Sequence, residues 1–239
     1  MTITLVLLTR NEIEGVSALL PVIPFDAVDE AFVVDGGSTD GTVEFFCEHG
    51  IRVVSQQSKG RGEAFRIAMR EATSDAVIFF SPDGNEDPAD IPRFRPLLEQ
   101  GNDIVVASRM MSGAFNEEDR QLLRWRKWAN NVFNLLANVA FRRRGPFITD
   151  SINGFRAIWK EACMHLQLDA DGFAIEYQMT MRALRQKMRI LEFPTREGNR
   201  IGGESGAKSI PTGLRFLQIF WSELRASWSE RKVASKRNA

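Results

Sequence analysis

Short apolar runs alternate with longer amphipathic segments along most of this chain. The runs are rich in β-branched and aromatic residues, which is typical of strands buried on both faces of a sheet. The predicted strands are Ile3–Leu8, Ala31–Val34, Ile51–Val54, the run AVIFF at 76–80, Asp103–Ala107 and Arg189–Phe193. The predicted helices are Glu12–Leu20, a segment that runs through Phe46, Glu63–Ala72, Ile91–Gln100, Gln121–Phe141, Ala174–Lys187 and Leu214–Trp228. This alternation predicts an α/β fold with a mostly parallel central sheet covered by helices on both faces.

Polar residues follow four of the predicted strands at the point where each strand ends. These residues are Thr9 to Glu12, Asp35 to Asp40, Asp83 to Asp87, and Ser108 with Arg109. Ligands of such sheets bind beyond the carboxyl ends of the strands. The four groups together therefore predict a binding site along this edge.

The segment DAVIFFSPDGNEDPAD at 75–90 carries the most informative of these groups. Its buried strand delivers Asp83, Asn85 and Asp87 into one loop. Mg²⁺ and Mn²⁺ prefer oxygen ligands, and Mg²⁺ usually shares its coordination shell with substrate phosphates. Asp83, Asn85 and Asp87 are therefore the candidate metal ligands. Asp87 precedes Pro88, so it also has the pattern of a helix N-cap.

Composition narrows the choice of partners. The chain has 239 residues, enough for one α/β domain, with 31 basic and 31 acidic residues. This balance gives no overall field that would attract nucleic acid. Cys47 and Cys163 lack metal-ligand spacing and are predicted to be two reduced thiols, with no disulfide, in a cytoplasmic protein. No apolar run approaches the roughly 18 residues that span a bilayer, so membrane contact would be peripheral.

Two common phosphate-binding motifs fit poorly. A dinucleotide fingerprint needs a third glycine where this chain has Phe65, after Gly60 and Gly62. The sequence GGESGAKS at 202–209 resembles a P-loop, but Ala207 replaces the glycine before the lysine. A nucleotide-sugar site built around Asp83 and Asn85 is the remaining interpretation.

Several motifs, in order along residues 3–225, carry a family resemblance. They are LTRNE at 8–12, VVDGGSTDGT at 33–42, KGRGEAFRIAM at 59–69, the Asp83/Asn85 loop, DSINGFRA at 150–157 and RIGGES at 200–205. Together the motifs resemble family 2 glycosyltransferases with the Rossmann-like GT-A fold. They are most similar to dolichol-phosphate or polyprenyl-phosphate mannose and glucose synthases.

The resemblance implies a function and a site. It implies an inverting transfer of a hexose from a nucleotide-diphosphate sugar, such as GDP-mannose or UDP-glucose, to a lipid phosphate, with Mg²⁺ or Mn²⁺. Residues 1–110 would bind the donor and 111–239 the acceptor within one domain. The catalytic candidates are Asp83, Asn85, Arg109, Asp150 and Arg200. The substrate-binding candidates are Thr9, Asn11, Glu12, Asp35, Gly36, Lys59, Gly60, Gly154, Arg156, Glu176, Ser205 and Lys208.

Two departures from the family pattern affect this assignment. The metal motif is Asp83-Gly84-Asn85, in which an uncharged asparagine replaces the usual second aspartate. Gly206 and Ala207 separate Lys208 from the preceding Gly-Glu-Ser, where the family usually has the lysine at once. Gln178 stands at the position expected for an acidic residue of the family, and Glu176 is the alternative match.

The chemistry of the acceptor leaves alternatives open. A phosphate acceptor is already ionised at neutral pH and needs no general base, whereas a hydroxyl acceptor does. Asp150 is the candidate base for a sugar hydroxyl, or it caps a turn. Asp35 would accept hydrogen bonds from the base or ribose, or it holds its own turn. Besides transfer to a lipid phosphate or to a sugar hydroxyl, a third possible function is binding of a nucleotide sugar without turnover.

Two amphipathic helices suggest a peripheral membrane contact at the inner face. Trp125 and Trp128 lie on the helix at 121–141, and Trp221 and Trp228 lie on the helix at 214–228. Tryptophan suits the membrane interface, and Arg142–Arg144 with the basic tail suit anionic headgroups. The alternative is that the apolar stripes of both helices pack on the sheet as core. The first stripe is Leu122, Trp125, Ala129, Val132, Leu136 and Val139. The second is Leu217, Phe220, Trp221, Leu224 and Trp228.

Overall fold

A seven-stranded sheet forms the centre of the protein in a computed structural model that describes residues 1–120, 125–202 and 209–237. The strands are β1 (Ile3–Thr9), β2 (Glu30–Asp35), β3 (Val53–Ser55), β4 (Ala76–Phe80), β5 (Ile104–Ser108), β6 (Arg156–Trp159) and β7 (Ile190–Pro194). Their order across the sheet is β3-β2-β1-β4-β6-β5-β7. Strand β6 pairs antiparallel with both neighbours, and every other pair is parallel. This confirms the predicted mostly parallel α/β fold.

Helices cover both faces of the sheet. They are α1 (Ile13–Leu19), α2 (Thr42–Glu48), α3 (Arg61–Glu71), α4 (Ile91–Glu99), α5 (Trp125–Phe141), α6 (Lys160–Leu166), α7 (Ala174–Arg185) and α8 (Ser209–Arg237). One core joins strand residues such as Leu7 and Phe80 to α1, α2 and α4. The other joins Val6 and Phe79 to α3, α5, α6, α7 and α8. Because successive side chains of β1 and β4 enter opposite cores, these strands are apolar at every position.

The predicted strands and most of the helices lie within a few residues of those observed, but β6 and α6 were not predicted. Strand β6 has only four residues and begins with Arg156. That arginine is fully buried, where it donates to the carbonyls of Asn153 and Glu176 and to Thr180 Oγ1. Because this short apolar run begins with a charged residue, the hydrophobicity pattern does not predict a strand there. Helix α8 is also longer than predicted.

The inner face of helix α5 combines polar with apolar residues, and its outer face exposes apolar ones. Ala137 and Phe141 pack in the core. Trp128 and Val139 are 71% and 75% exposed, and Trp125 and Leu135 are also exposed. Asn134 and Asn138 are buried instead. The alternative in which the whole stripe packs as core therefore fails at Trp125 and Val139. Leu122 of that stripe lies outside the described residues.

The buried asparagines of α5 hold the loop that precedes β6. Asn138 Nδ2 donates to the Ile148 carbonyl at 2.8 Å, and its Oδ1 accepts from the Ile148 amide at 2.9 Å. Asn134 Nδ2 donates to the Thr149 carbonyl, and its Oδ1 accepts from the Ser151 amide at 2.8 Å. These bonds satisfy loop groups that no sheet ladder could reach, which explains why polar residues occupy the inner face.

Helix α8 also presents apolar residues to solvent. Leu214, Leu217, Trp221 and Trp228 are exposed, while Phe216, Phe220, Glu223 and Ser227 are buried. The alternative in which this stripe packs on the sheet therefore fails at Leu217, Trp221 and Trp228. Glu223 is paired with Arg182 at 2.7 Å and with Arg185 at 3.3 Å on α7. In the described part of the chain, no helix is both long and apolar enough to cross a membrane.

The buried asparagines and exposed apolar residues of α5 predict the effects of two substitutions. Asn138→Leu leaves the amide and carbonyl of Ile148 buried without partners, so we expect a loss of about 2–3 kcal/mol in the free energy of unfolding. Leu135→Asn, on the exposed side of the same helix, is expected to change it by at most about 0.5 kcal/mol. Urea denaturation with an unchanged m-value measures both. Equal stability of Asn138→Leu and the wild type would contradict this account.

Candidate active site

A cleft of about 570 Å³ opens at the carboxyl ends of β1, β2, β3 and β4. Its other walls come from the start of α3, the loop before β6, the start of α7 and the segment after β7. The sequence-predicted residues that line it are Thr9, Asn11, Glu12, Gly36, Gly60, Asp83, Asn85, Arg109, Gly154, Glu176 and Arg200. The cleft thus brings together residues that are up to about 190 positions apart in the chain.

The ends of β1 and β2 are tied to each other at the floor of this cleft. Asn11 adopts a left-handed conformation with φ of 54°, and its Oδ1 accepts from the Thr39 amide at 2.8 Å. The Asp35 carboxylate accepts from the amides of Gly37 and Ser38 at 2.8 and 2.9 Å. Asp35 is buried and does not line the cleft, so the structure places it as the residue that holds the turn. Its neighbour Gly36 lines the cleft in its place.

Asp83 and Asn85 lie at the centre of the cleft in a tight loop. Asp83 Oδ1 accepts from the Asn85 amide at 3.0 Å, and Gly84 between them has φ of 95°. A Cβ on Gly84 would lie 2.8 Å from the Asn199 carbonyl oxygen and 2.9 Å from the Ile201 amide, so only glycine fits there. The loop is closed by Gly198 N donating to Asn85 O at 2.9 Å and Ile201 N to Asp83 O at 2.7 Å.

Arg200 reaches from this closing segment across two carboxylates. Its Nη1 donates to Asp83 Oδ2 at 2.7 Å, and its Nη2 donates to Glu12 Oε1. Burial raises the pKa of Glu12 to about 7, against the opposing effect of Arg200, and the Asp83 charge adds to the increase. Glu12 therefore shares one guanidinium with Asp83 in a site where negative charge is already costly.

Within the described part of the chain, four buried polar atoms of residues that line the cleft have no hydrogen-bond partner. These atoms are Asn85 Oδ1, Glu12 Oε2, Glu176 Oε2 and Arg200 Nε. Such atoms are rare in folded proteins, and their grouping indicates that a polar ligand completes the site.

The residues present fit a divalent cation that shares its shell with a ligand. The described residues contain no group of three or more His, Cys, Asp or Glu side chains suited to a metal ion. Asp83 offers a carboxylate and Asn85 offers its unpartnered carbonyl oxygen. Mg²⁺ is commonly held by one or two protein oxygens, with substrate phosphates and water completing the shell. This donor set suits that arrangement.

Asp87, the third predicted metal ligand, has a different role. Its Oδ1 accepts from the Ala89 amide at 3.0 Å and caps the 3₁₀ turn Pro88–Asp90 that leads into α4. Asp87 does not line the cleft; it borders a second cavity of about 370 Å³ behind the loop. The structure therefore places Asp87 as a cap, as its pairing with Pro88 had suggested.

Arg109 and Asp150 form a buried ion pair that Glu197 completes. Arg109 donates to Asp150 through Nε at 2.8 Å, Nη2 at 3.1 Å and its amide at 3.0 Å, and to Glu197 Oε1 through Nη1 at 2.9 Å. Burial opposes its charge, but the two carboxylates hold the pKa of Arg109 well above its usual value. Asp150 is fully buried and does not line the cleft, so its geometry contradicts the prediction that it could act as a general base.

A second ion pair, between Arg61 and Glu176, was missed in the sequence. Arg61 Nε donates to Glu176 Oε1, and Arg61 Nη1 donates to Ser81 Oγ at 3.1 Å. A Cβ at Gly154 would collide with Arg61 Nη2 and lie 3.2 Å from Glu176 Oε1, which accounts for that glycine. The sequence feature that could have identified Arg61 is its position between Gly60 and Gly62 in the motif KGRGEAFRIAM.

Other residues of the cleft were also missed. Glu86 Oε2 accepts from the Ser81 amide at 2.6 Å, and burial raises the pKa of Glu86 to about 8. The remaining missed residues that line the cleft include Arg10, Gln56, Arg126, Asn153, Phe173 and Glu197. Most of them lie in loops whose positions depend on contacts distant in sequence.

Several predicted residues lie elsewhere. Arg156 is fully buried and all its observed hydrogen bonds go to protein groups, and burial lowers the pKa of its guanidinium to about 10. It therefore supports the loop before β6 and cannot contact a substrate in the cleft. Lys59 is exposed and does not line the cleft. Gln178 is buried against Asp169 and Glu223. Ser205 and Lys208 lie outside the described residues.

Comparison with known proteins agrees with this geometry. Glycosyltransferase AglJ of Haloferax volcanii is 28% identical over 219 residues, which cover 89% of this chain and 69% of AglJ. Undecaprenyl-phosphate mannosyltransferase of Micrococcus luteus is 27% identical over 245 residues, which cover 95% of this chain and 96% of that protein.

A solved structure supports the fold. Glucosyl-3-phosphoglycerate synthase of Mycobacterium tuberculosis, crystallised with Mn²⁺, UDP-glucose and phosphoglyceric acid, has a TM-score of 0.69 and 25% identity. The match covers 93% of this chain and 79% of the solved one. Residues 11–165 also match the model of glycosyl transferase family 2. The chain is a glycosyltransferase with the GT-A fold and belongs to glycosyl transferase family 2.

Proposed function

We propose that this enzyme transfers a hexose, with inversion, from a nucleotide-diphosphate sugar to a polyprenyl phosphate at the inner face of a membrane. The observation that carries the proposal is the first turn of α5. Trp125 and Trp128 point to solvent there, while Arg126 lines the cleft. A single turn thus joins an apolar surface to the site where an anionic acceptor would react.

The donor part of the proposal rests on the centre of the cleft. Asp83 and Asn85 would hold Mg²⁺ or Mn²⁺, in line with the Mn²⁺ and UDP-glucose bound by the solved relative. The metal, when bound, would neutralise charge that develops on the leaving diphosphate. Arg200 stands beside Asp83 and would contribute a second positive charge there. Most of the residues that would bind the donor lie within residues 1–110.

The acceptor part of the proposal rests on the ion pair that Asp150 makes with Arg109. Both oxygens of its carboxylate accept hydrogen bonds from Arg109, and the side chain is fully buried outside the cleft, so a sugar hydroxyl in the cleft could not reach it. A phosphate acceptor requires no such base. The Micrococcus luteus relative is named for an undecaprenyl-phosphate acceptor, which supports a lipid phosphate for this chain.

The membrane part rests on the outer faces of α5 and α8. The two helices pack side by side, with Phe133 and Phe216 ring centroids 5.1 Å apart. Each carries exposed apolar residues, with Trp125 and Trp128 on one and Trp221 on the other. Arg142–Arg144 are exposed directly after α5. Tryptophan at the headgroup level and arginine near anionic lipid both favour binding to a membrane surface, at about 1 kcal/mol per basic residue.

Asp83→Ala is expected to abolish Mn²⁺-dependent binding of nucleotide diphosphates while the fold persists, because Asn85 alone supplies no charge. Isothermal titration with UDP and GDP, with and without Mn²⁺, measures this. Asp87→Ala is the matched control: it should cost about 1 kcal/mol of stability, as for a lost cap, and leave binding intact. Full activity of Asp83→Ala in the presence of EDTA would refute the metal role.

Arg126→Ala is expected to lower kcat/KM for polyprenyl phosphate about 10- to 100-fold, the effect of losing one hydrogen bond to a charged group. Its affinity for the donor should not change, because the substitution lies on the acceptor side. Transfer of a radiolabelled hexose to extracted polyprenyl phosphate measures the rate. Arg70→Ala, at an exposed arginine of α3 outside the cleft and away from α5 and α8, is the control. Loss of donor affinity instead would assign Arg126 to the donor. No transfer by the wild type from any nucleotide sugar would favour a binding protein without turnover.

The wild type is expected to float with anionic liposomes at low salt and to dissociate as the Debye length falls below about 8 Å. The double variant Trp125→Ser/Trp128→Ser should float less, because it removes the rings that enter the interface. Met164→Ser, at an apolar residue exposed on α6, is the control. A protein that stays soluble at every salt concentration would leave a water-soluble phosphorylated acceptor or a sugar hydroxyl as the alternatives.

A further inference from the structure

We propose that Gln56 reads the base of the donor through its side-chain carbonyl oxygen. The inference rests on the nucleotide-sugar function proposed above. It states that Gln56 Oε1 accepts a hydrogen bond from the ring N–H at the centre of the Watson–Crick edge. Uracil and guanine carry that N–H, whereas cytosine and adenine carry an unprotonated acceptor nitrogen there.

The amide of Gln56 is held in one orientation. Its Nε2 donates to the Gly60 carbonyl at 2.9 Å and to the Ser58 carbonyl at 3.3 Å. An amide nitrogen has two hydrogens, so both are used, and a flipped amide would place its oxygen against two carbonyl oxygens. The Gln56 backbone amide is fixed as well, through a 2.8 Å bond to the Asp35 carbonyl. The side chain can therefore offer only an acceptor to a ligand.

The side chain that carries this acceptor forms part of the cleft wall. Gln56 lines the cleft directly after β3, and Oε1 accepts no hydrogen bond from the residues that the structure describes. Gly36 stands beside it: a Cβ there would lie 3.0 Å from Gln56 Oε1 and 3.3 Å from the Thr9 carbonyl oxygen. Gly36 has no left-handed backbone, and a side chain there would press on Gln56 Oε1, on Arg10 Cβ and on the Thr9 carbonyl oxygen.

The surroundings suit a flat base. Leu8, Val34 and Ala64 are buried apolar residues that line the cleft. Strand β3 is three positions from β4 in the sheet, about 14 Å at the usual strand spacing. A nucleoside diphosphate can therefore extend from Gln56 to the Asp83 loop, with its base at one end and its diphosphate at the other.

Nucleotide binding by isothermal titration with Mn²⁺ tests the inference. For the full chain we expect UDP or GDP to bind at least 10-fold more tightly than CDP and ADP. In Gln56→Ala, the preference should fall below threefold, since the site no longer presents a fixed acceptor. Gln57→Ala, at an exposed neighbour, is the control and should keep the preference.

A modified nucleotide separates hydrogen bonding from general loss of packing. N3-methyl-UDP lacks the ring N–H, so the wild type should bind it at least 10-fold more weakly than UDP. Gln56→Ala, which removes both the acceptor and the side chain that the methyl group would meet, should bind the two equally. Equal binding of CDP and UDP by the wild type, or an unchanged preference in Gln56→Ala, would overturn the proposed role of Gln56. The proposed transferase function would not be affected by either result. Failure of all four diphosphates to bind would overturn the proposed function with it.

Discussion

Acidic side chains that line a largely buried cleft need cations beside them, and this requirement organises the site. An unpaired charge removed from water costs several kcal/mol, so buried carboxylates are normally matched by basic groups. Three arginines meet the need here. Arg61 pairs with Glu176, Arg109 pairs with Asp150 and Glu197, and Arg200 pairs with Glu12 and Asp83. The arginines come from α3, from the end of β5 and from the segment after β7, so the charge balance also links distant parts of the chain.

The same balance explains why an asparagine stands where the family usually has a second aspartate. Asp83 shares Arg200 with Glu12, whose pKa burial has already raised to about 7. A further carboxylate at position 85 would add negative charge to a group that has only one guanidinium to balance it. Asn85 lines the cleft and supplies an oxygen without that charge, and its buried Oδ1 has no hydrogen-bond partner among the described residues. A divalent cation at Asp83 would compete there with Arg200.

Local patterns in the sequence were sufficient for the sheet and for the cleft edge, but not for the partners of each side chain. Apolar runs located β1 and β4, and the polar residues after them located the Asp83 loop, because strand ends in a parallel sheet meet at one edge. The Arg109–Asp150–Glu197 group could not be found this way, since it joins three segments whose approach depends on β6 and β7 pairing around β5. Strand β6 itself was missed because its first residue is a buried arginine that compensates polar loop groups.

Helix α5 shows the limit of hydrophobic periodicity most clearly. Its inner face uses Asn134 and Asn138 to hold residues 148–151, and one of those residues is Asp150, the anchor of Arg109. The outer face of the same helix carries the exposed tryptophans, and its first turn carries Arg126 into the cleft. Apolar packing through Ala137 and Phe141 holds the helix on the core, and the directional hydrogen bonds of Asn134 and Asn138 add a link to the loop before β6. These hydrogen bonds help to set the position of the exposed tryptophans relative to Arg109, an arrangement that the proposed transfer to a lipid phosphate would use.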